Sequence, residues 1–227
     1  MVKEKITAVI PVRAGSTRLP NKNILKFADT NLLINKIRQL KGVEKIDEIV
    51  VSTDSDEMIE MAKKEGVDFQ KRPIEYCDEK TKTFNEVVEY IAQTLKTDIL
   101  IWAPCVCPIV DTPCFRQAVD KFLNLDSKYD SVVSAMLLKE YIFDEEKPVN
   151  FSIEHHVPSQ KLPNWHQIQN GFYIAYAKDM QKWKFVYGKN PYLFEITKYQ
   201  AIDIDDEFDF KLAEYVYKMI KKEVLHV

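Results

Sequence analysis

The apolar positions of this chain change period several times, and each change marks an element. From Ile6 the sequence Ile-Thr-Ala-Val-Ile-Pro-Val is almost continuously apolar and rich in β-branched residues, which predicts a strand covered on both faces. The run stops at Arg13. Residues 31–41 carry apolar side chains at 32, 33, 34, 37 and 40, a helical spacing that Gly42 closes. Residues 46–52 predict the next strand. It ends in Thr53-Asp54-Ser55, a polar cluster suited to cap a helix over 57–65, with Gly66 as its terminator. A short strand at 67–69 then leads to Lys71-Arg72-Pro73. Strand, helix and strand in this rhythm build a parallel sheet.

Thr83 and Glu86 have the spacing of a capping box, opening a helix to about residue 95. A buried strand follows at 98–103, then a loop over 104–111, then a helix to residue 123 with Thr112 as N-cap and Pro113 as first helical residue. Ligands of open parallel sheets bind beyond the strand C-termini, so the residues after 12, Thr53 to Ser55, Arg72 and the 104–111 loop are expected on one edge. Residues 130–138 predict another strand. Periodicity is lost over 139–166, which holds Pro148, Pro158 and Pro163 with His155, His156 and His166. Strand character returns at 171–177, and a polar and aromatic segment with Trp183 and Tyr187 leads to 192–197 and 201–205. The chain ends in an amphipathic helix over 206–222, with Phe210, Ala213, Val216, Tyr217 and Ile220 on its apolar side.

Length and charge narrow the reading. The 227 residues suit one α/β domain, 1–227, with an inserted segment at 139–166. A formal charge of −3, with dispersed basic residues, offers no footprint for nucleic acid. No stretch approaches the roughly 20 apolar residues of a membrane span, and the first five residues run straight into a strand, so a cytoplasmic location without membrane partners is expected. Cys77, Cys105, Cys107 and Cys114 are expected as free, partly buried thiols. Their spacing is not that of a zinc finger or ribbon. Adjacent His155 and His156 would point to opposite sides of an extended segment, which argues against a shared metal.

The candidate chemistry begins after the first strand. Arg13, Arg18 and Lys22 surround Gly15, with the hydroxyls of Ser16 and Thr17 beside it. Backbone N–H groups and fixed positive charge together suit a triphosphate, although an ordinary solvated turn has the same composition. Neither the G-x-x-x-x-G-K-[ST] nor the G-x-G-x-x-G spacing is present. Asp203 and Asp205 flank Ile204, so on extended backbone both carboxylates face one way and Ile204 the other. Such a pair suits Mg²⁺, which keeps waters and takes substrate phosphates as further ligands. The alternative is that Asp205 and Asp206 cap the last helix.

Residues 13–23, Arg-Ala-Gly-Ser-Thr-Arg-Leu-Pro-Asn-Lys-Asn, resemble the N-terminal motif of the cytidylyltransferases that activate acidic sugars, the CMP-sialic acid synthetase family. Val-Ser-Thr-Asp-Ser at 51–55, Lys-Arg-Pro at 71–73, Gln-Lys-Leu-Pro at 160–163, Asn-Gly-Phe-Tyr-Ile at 170–174 and Ile-Asp-Ile-Asp at 202–205 follow in family order. The resemblance implies a Rossmann-like three-layer αβα nucleotidyltransferase fold with a mostly parallel sheet and an extended insertion that reaches across a homodimer. It implies transfer of CMP from CTP to a small acceptor with release of pyrophosphate. Arg13, Ala14, Gly15, Ser16, Arg18, Lys22 and Asn23 would hold the nucleotide with Arg72 and Thr83, and Arg13 and Lys22 would act on the reacting phosphates. Asp203 and Asp205 match the family's metal pair. For Arg72 and Thr83 a surface arginine and a simple helix cap remain open.

The acceptor side departs from the family pattern. A Gln-Pro-Thr-Ser-Pro-Leu-Arg loop is replaced by Ala-Pro-Cys-Val-Cys-Pro-Ile at 103–109, placing Ala103 and Cys105 at candidate acceptor positions. Ser159 stands where an arginine is expected, and residues 164–169 contain none. A carboxylate is best gripped by a bidentate guanidinium. The resemblance therefore leaves a neutral pocket of Gln160, His166, Gln169 and Asn170, with Phe172 and Trp165 as walls, and an acceptor other than N-acetylneuraminate. Two other readings are a nucleotide-sugar-dependent glycosyltransferase, which also uses an Asp-x-Asp pair, and a nucleotide-binding protein without catalysis.

Overall fold

Five of the six residues of β1 (Ile6–Pro11) are buried, and the strand sits inside a seven-stranded sheet as its continuous apolar run requires. The computed structural model describes residues 3–15 and 18–224. In chain order follow β2 (Lys26–Phe27), β3 (Thr30–Asn31), α1 (Leu32–Lys41), β4 (Glu48–Thr53), α2 (Asp56–Lys64), β5 (Asp68–Lys71) and α3 (Phe84–Thr94). Then come β6 (Ile99–Trp102), α4 (Thr112–Leu123), β7 (Ser131–Leu138), β8 (Trp165–Tyr176), α5 (Ala177–Trp183), β9 (Pro191–Glu195) and α6 (Glu207–Val224). The strand order is β5-β4-β1-β6-β8-β7-β9, and β2 and β3 form a separate small ribbon. β5, β4, β1 and β6 are parallel, β7 and β9 are parallel to each other, and β8 runs antiparallel to both β6 and β7.

Alternation along the strands divides the core into two layers. Ala8 and Ile10 of β1 pack with Leu33, Ile37 and Leu40 of α1, Met58 of α2, Phe115 of α4 and Ala213 of α6. Val9 turns the other way, into a smaller cluster with Val88 and Ile91 of α3 and Met180 of α5. The result is helix, sheet, helix, with a mostly parallel sheet. Among the described residues no helix is long and apolar enough to cross a membrane.

Local chemistry sets the helix ends. Asn31, Ser55 and Thr83 cap α1, α2 and α3 by accepting backbone N–H groups, and Thr83 with Glu86 completes the capping box. Gly66 has φ +67, a left-handed conformation that returns the chain from α2 to β5. A side chain on Gly42 would come within 2.6 Å of Thr112, so the glycine lets α1 and α4 approach.

Three expectations need correction. The N-cap of α4 is Asp111, whose carboxylate accepts from Cys114 N–H at 3.0 Å, and Thr112 is already helical. β8 begins at Trp165 rather than 171, because its first residues pair antiparallel with Leu138 to Ala135. The segment containing Trp183 is the helix α5, whose N-cap Tyr176 offers no side-chain bond to mark it. Residues 139–164 are otherwise irregular, with one isolated bridge between Phe143 and Pro148 and a 3₁₀ turn at Ser159–Lys161. His155 and His156 are both exposed there, and His156 stacks on Tyr141 at 5.6 Å.

Candidate active site

The parallel strands β1, β4, β5 and β6 all end at one edge of the sheet, and a cleft of about 490 Å³ opens there. Val12 N–H prolongs the ladder by donating to Ser52 O at 3.0 Å, and the chain then leaves the sheet at Arg13. Arg13 donates from Nη1 to Cys77 O at 2.9 Å and from Nη2 to Glu79 at 2.6 Å. Ala14 N–H donates to Asp54 at 3.0 Å, which ties the loop to the end of β4. Gly15 is exposed, and a side chain placed on it would meet nothing within 4 Å. Ser16 lies outside the described residues.

Arg18 and Lys22 return to the same cleft. Arg18 pairs with Asp205 at 2.7 Å, and Lys22 Nζ donates to Ile204 O. Burial lowers the pKa of Lys22, and the nearby carboxylates of Asp203 and Asp205 oppose that effect. Asn23 is half-buried in the 3₁₀ turn Lys22–Ile24. Arg72, at the end of β5, is only 5% exposed. It donates to Val12 O at 2.8 Å and to Cys77 Sγ at 3.0 Å, so it is a buried brace beneath the loop as well as a wall of the cleft. The surface-arginine reading is thereby removed.

The carboxylate pair faces these cations. Ile204 is fully buried and its N–H donates to Val106 O at 2.9 Å, so Asp203 and Asp205 both turn into the cleft. Asp203 accepts from Asn170 Nδ2 at 2.7 Å through Oδ2, and Asn170 in turn accepts from the Tyr173 hydroxyl at 2.7 Å. Burial raises the Asp203 pKa. Its other oxygen, Oδ1, is buried and has no hydrogen-bond partner among the described residues. The start of α6 is served by different groups: Asp206 accepts from Asp209 N–H at 3.0 Å, and Asp209 accepts from Asp205 N–H at 3.0 Å. Capping therefore does not occupy the two carboxylates that face the cleft.

The remaining sequence candidates divide. Thr83 is exposed at the start of α3, where its hydroxyl serves the capping box, while its neighbours Lys82 and Phe84 line the cleft. Ala103 and Cys105 are buried in the core, and Pro104 and Val106 line the cleft instead, because side chains alternate along the extended loop. Burial pushes the Cys105 and Cys114 thiols up to about 12 and raises Cys107 as well, so all three remain neutral. Phe172 is fully buried between Phe115 and Phe194. The cause is a break in register: Ala135 pairs with Ile168 and Val133 with Tyr173, so five steps of β8 span two of β7. That bulge sends Asn170 and Tyr173 to the cleft and Phe172 to the core. Gln169 is buried at the bulge, with its carbonyl accepting from Ser134 at 2.7 Å. His166 pairs with Glu195 at 2.9 Å, and Gln160 is exposed in the 3₁₀ turn; neither borders the cleft, nor does Trp165.

Sequence reasoning missed the aromatic wall of Tyr76, Phe84, Trp102 and Tyr173. Trp102 is the last residue of β6, so the rule that ligands gather at strand C-termini was the one available signal for it. Together the cleft offers cations for phosphate oxygens, a carboxylate pair with an unsatisfied oxygen, and flat apolar surface for a ring.

Known proteins resemble this chain over most of its length. A family model described as cytidylyltransferase matches residues 7–196. A pseudaminic acid cytidylyltransferase of Campylobacter jejuni is 25% identical over 225 residues, covering 95% of this chain and 97% of that protein. An N-acylneuraminate cytidylyltransferase of Escherichia coli is 28% identical over 222 residues, covering 93% of this chain; the match spans 52% of that longer protein. In fold, the chain matches a solved CMP:2-keto-3-deoxy-manno-octonic acid synthetase in complex with CTP, at a TM-score of 0.70 and 14% identity, covering 95% of this chain and 99% of that one. The fold is therefore the Rossmann-like nucleotidyltransferase architecture, and with most of its length matched by the family model, this chain belongs to the cytidylyltransferase family.

Proposed function

We propose that the protein transfers CMP from CTP to a small acidic sugar or a related acceptor, releasing pyrophosphate. The observation that carries this reading is the convergence of Arg13, Arg18, Lys22 and Arg72 with Asp203 and Asp205 in one cleft at the C-terminal edge of the sheet. Displacement at the α-phosphate of CTP needs alignment of the attacking oxygen and neutralisation of charge, and no enzyme nucleophile. Arg13, Arg18 and Lys22 now rest against Glu79, Asp205 and the Ile204 carbonyl, and in this reading they exchange those partners for phosphate oxygens. The aromatic wall excludes water and supports the nucleoside.

The donor set suits Mg²⁺. Asp203 holds a buried oxygen without a partner among the described residues, and Asp205 lies beside it in the same cleft. Among the described residues no group of three or more His, Cys, Asp or Glu could hold an ion by itself, which fits a metal that completes its shell with water and substrate phosphate. Asp203 and Asp205 would hold the ion, which would supply further neutralisation of phosphate charge. Asn170 orients Asp203 and leaves its second oxygen free.

On the acceptor side we infer a compound whose acidic group is absent or is held otherwise than by a guanidinium from the positions the family pattern uses, because Ser159 and residues 164–169 supply none. We further infer a cytoplasmic homodimer formed through residues 139–164, where Phe143 is 54% and Ile153 70% exposed. The experiment is incubation of the protein with CTP, Mg²⁺ and a panel of acidic sugars, phosphorylated or phosphonylated metabolites and nucleotide-sugars. Pyrophosphate release with CTP and one of these supports the reading. Consumption of a nucleotide-sugar with no use of CTP supports a glycosyltransferase instead.

A further inference from the structure

Lys36 lies on the inward face of α1 and is completely buried. Its Nζ donates to Cys107 O at 3.2 Å and sits 4.8 Å from the centre of the Phe115 ring. The titratable groups that act on it are the thiols of Cys105, Cys107 and Cys114, with no carboxylate among them. An ammonium taken out of water without a paired carboxylate is costly, and a methionine of similar length would fill the same space without that cost. Burial lowers the Lys36 pKa, as this position requires.

Its neighbours act on the same stretch of chain. Asn35 donates to Pro108 O at 3.0 Å and Gln39 to the same carbonyl at 2.7 Å, while the Tyr217 hydroxyl from α6 holds Asn35 Oδ1 at 3.0 Å. Three side chains of one helix therefore grip two successive carbonyls of the 104–110 loop. The preceding residue, Val106, lines the cleft and accepts the N–H of Ile204, the residue between the two carboxylates. The backbone N–H of Asn170, which orients Asp203, also lies against Cys107.

We propose that Lys36, with Asn35 and Gln39, is a positioning residue that fixes the 104–110 loop from behind and thereby sets the Asp203 and Asp205 carboxylates in the cleft. This rests on the reading of those carboxylates as a metal pair. Lys36 touches no substrate; it acts through Cys107, Val106 and Ile204. Loss of its bond lets the loop, and the backbone hung on it, move.

The test is amide hydrogen exchange of the nucleotide-free and metal-free protein, wild type against Lys36→Met, with Mn²⁺ binding followed by electron paramagnetic resonance in the presence of CTP. In the variant, exchange of the Ile204 amide is expected to accelerate about tenfold or more, while Val9 and Val50 in the central strands keep their protection. Mn²⁺ affinity falls about tenfold, the scale on which supporting groups act on a metal site. A uniform acceleration at all three amides, or an unchanged Ile204 amide, overturns the proposal, as does Mn²⁺ affinity within about twofold of wild type when the wild type binds the ion. If wild type itself binds no Mn²⁺ with CTP, the metal reading fails while the Ile204 exchange still reports on the Lys36 linkage. Should Lys36→Met not fold, Gln39→Met carries the test through its own bond to Pro108: selective loss of Ile204 protection supports the linkage, and its absence refutes it.

Discussion

At the scale of single residues, charge decides what the cleft can hold. Removing a charge-assisted contact to phosphate inside a partly desolvated cleft costs roughly 2 kcal/mol, about thirtyfold in affinity. Arg13→Ala and Lys22→Ala are each expected to weaken CTP by that amount, measured by calorimetry, without abolishing the folded state. Asp203→Asn is expected to remove most activity while the melting temperature stays level or rises. The sign follows from burial: the folded-state pKa of Asp203 lies above its unfolded value, so the native state binds the extra proton and stability falls as pH rises between the two. Above that window the charged carboxylate is a cost that asparagine lacks. A fall in melting temperature at neutral pH with activity retained contradicts the assignment. These cations and carboxylates were legible because each lies in a short contiguous motif. Ala103, Cys105 and Phe172 were misplaced because the direction of a side chain depends on loop alternation and on the β8 bulge, and no local motif in the sequence announces either.

The elements were legible wherever a period and a cap coincided. α3 is the clearest case, since the capping box at Thr83 and Glu86 is present as expected, and hydrogen bonds from Lys82 and Thr83 pull the Glu86 carboxyl down to about 2. Thr83→Ala is expected to cost about 1 kcal/mol of stability, a fall of roughly 2–4 °C in melting temperature. The KM for CTP should stay within about twofold, since the hydroxyl is engaged in the cap. A large rise in KM with no change in melting temperature makes Thr83 a nucleotide contact instead. α5 escaped because it is seven residues long and has no side-chain cap. The early start of β8 escaped because its first residues alternate weakly and are held by their pairing with β7, a tertiary cause.

For the whole molecule, sheet order brings together segments more than 180 positions apart: Lys22 meets the Ile204 carbonyl and Arg18 meets Asp205. Order along the chain could predict the edge at which they gather, through the strand C-terminus rule, but not these pairings. The same scale carries the assembly. With Tyr141, Phe143, Val149 and Ile153 exposed on residues 139–164, sedimentation is expected to give about twice the chain mass of 26.6 kDa, and Phe143→Ser to shift the protein toward monomer. A monomer in the unaltered protein removes the dimer from the account. For the acceptor, N-acetylneuraminate is expected to be a poor substrate, since a buried carboxylate without a guanidinium costs several kcal/mol. A catalytic efficiency above about 10⁴ M⁻¹s⁻¹ with that sugar overturns this expectation. Calorimetric titration of CTP, with Mg²⁺ present, into wild type and into Lys22→Ala measures directly whether the cleft takes this nucleotide. One CTP bound per chain is expected in wild type, and binding about thirtyfold weaker in the variant. No heat of CTP binding to wild type, or equal affinity in the two proteins, would contradict that expectation.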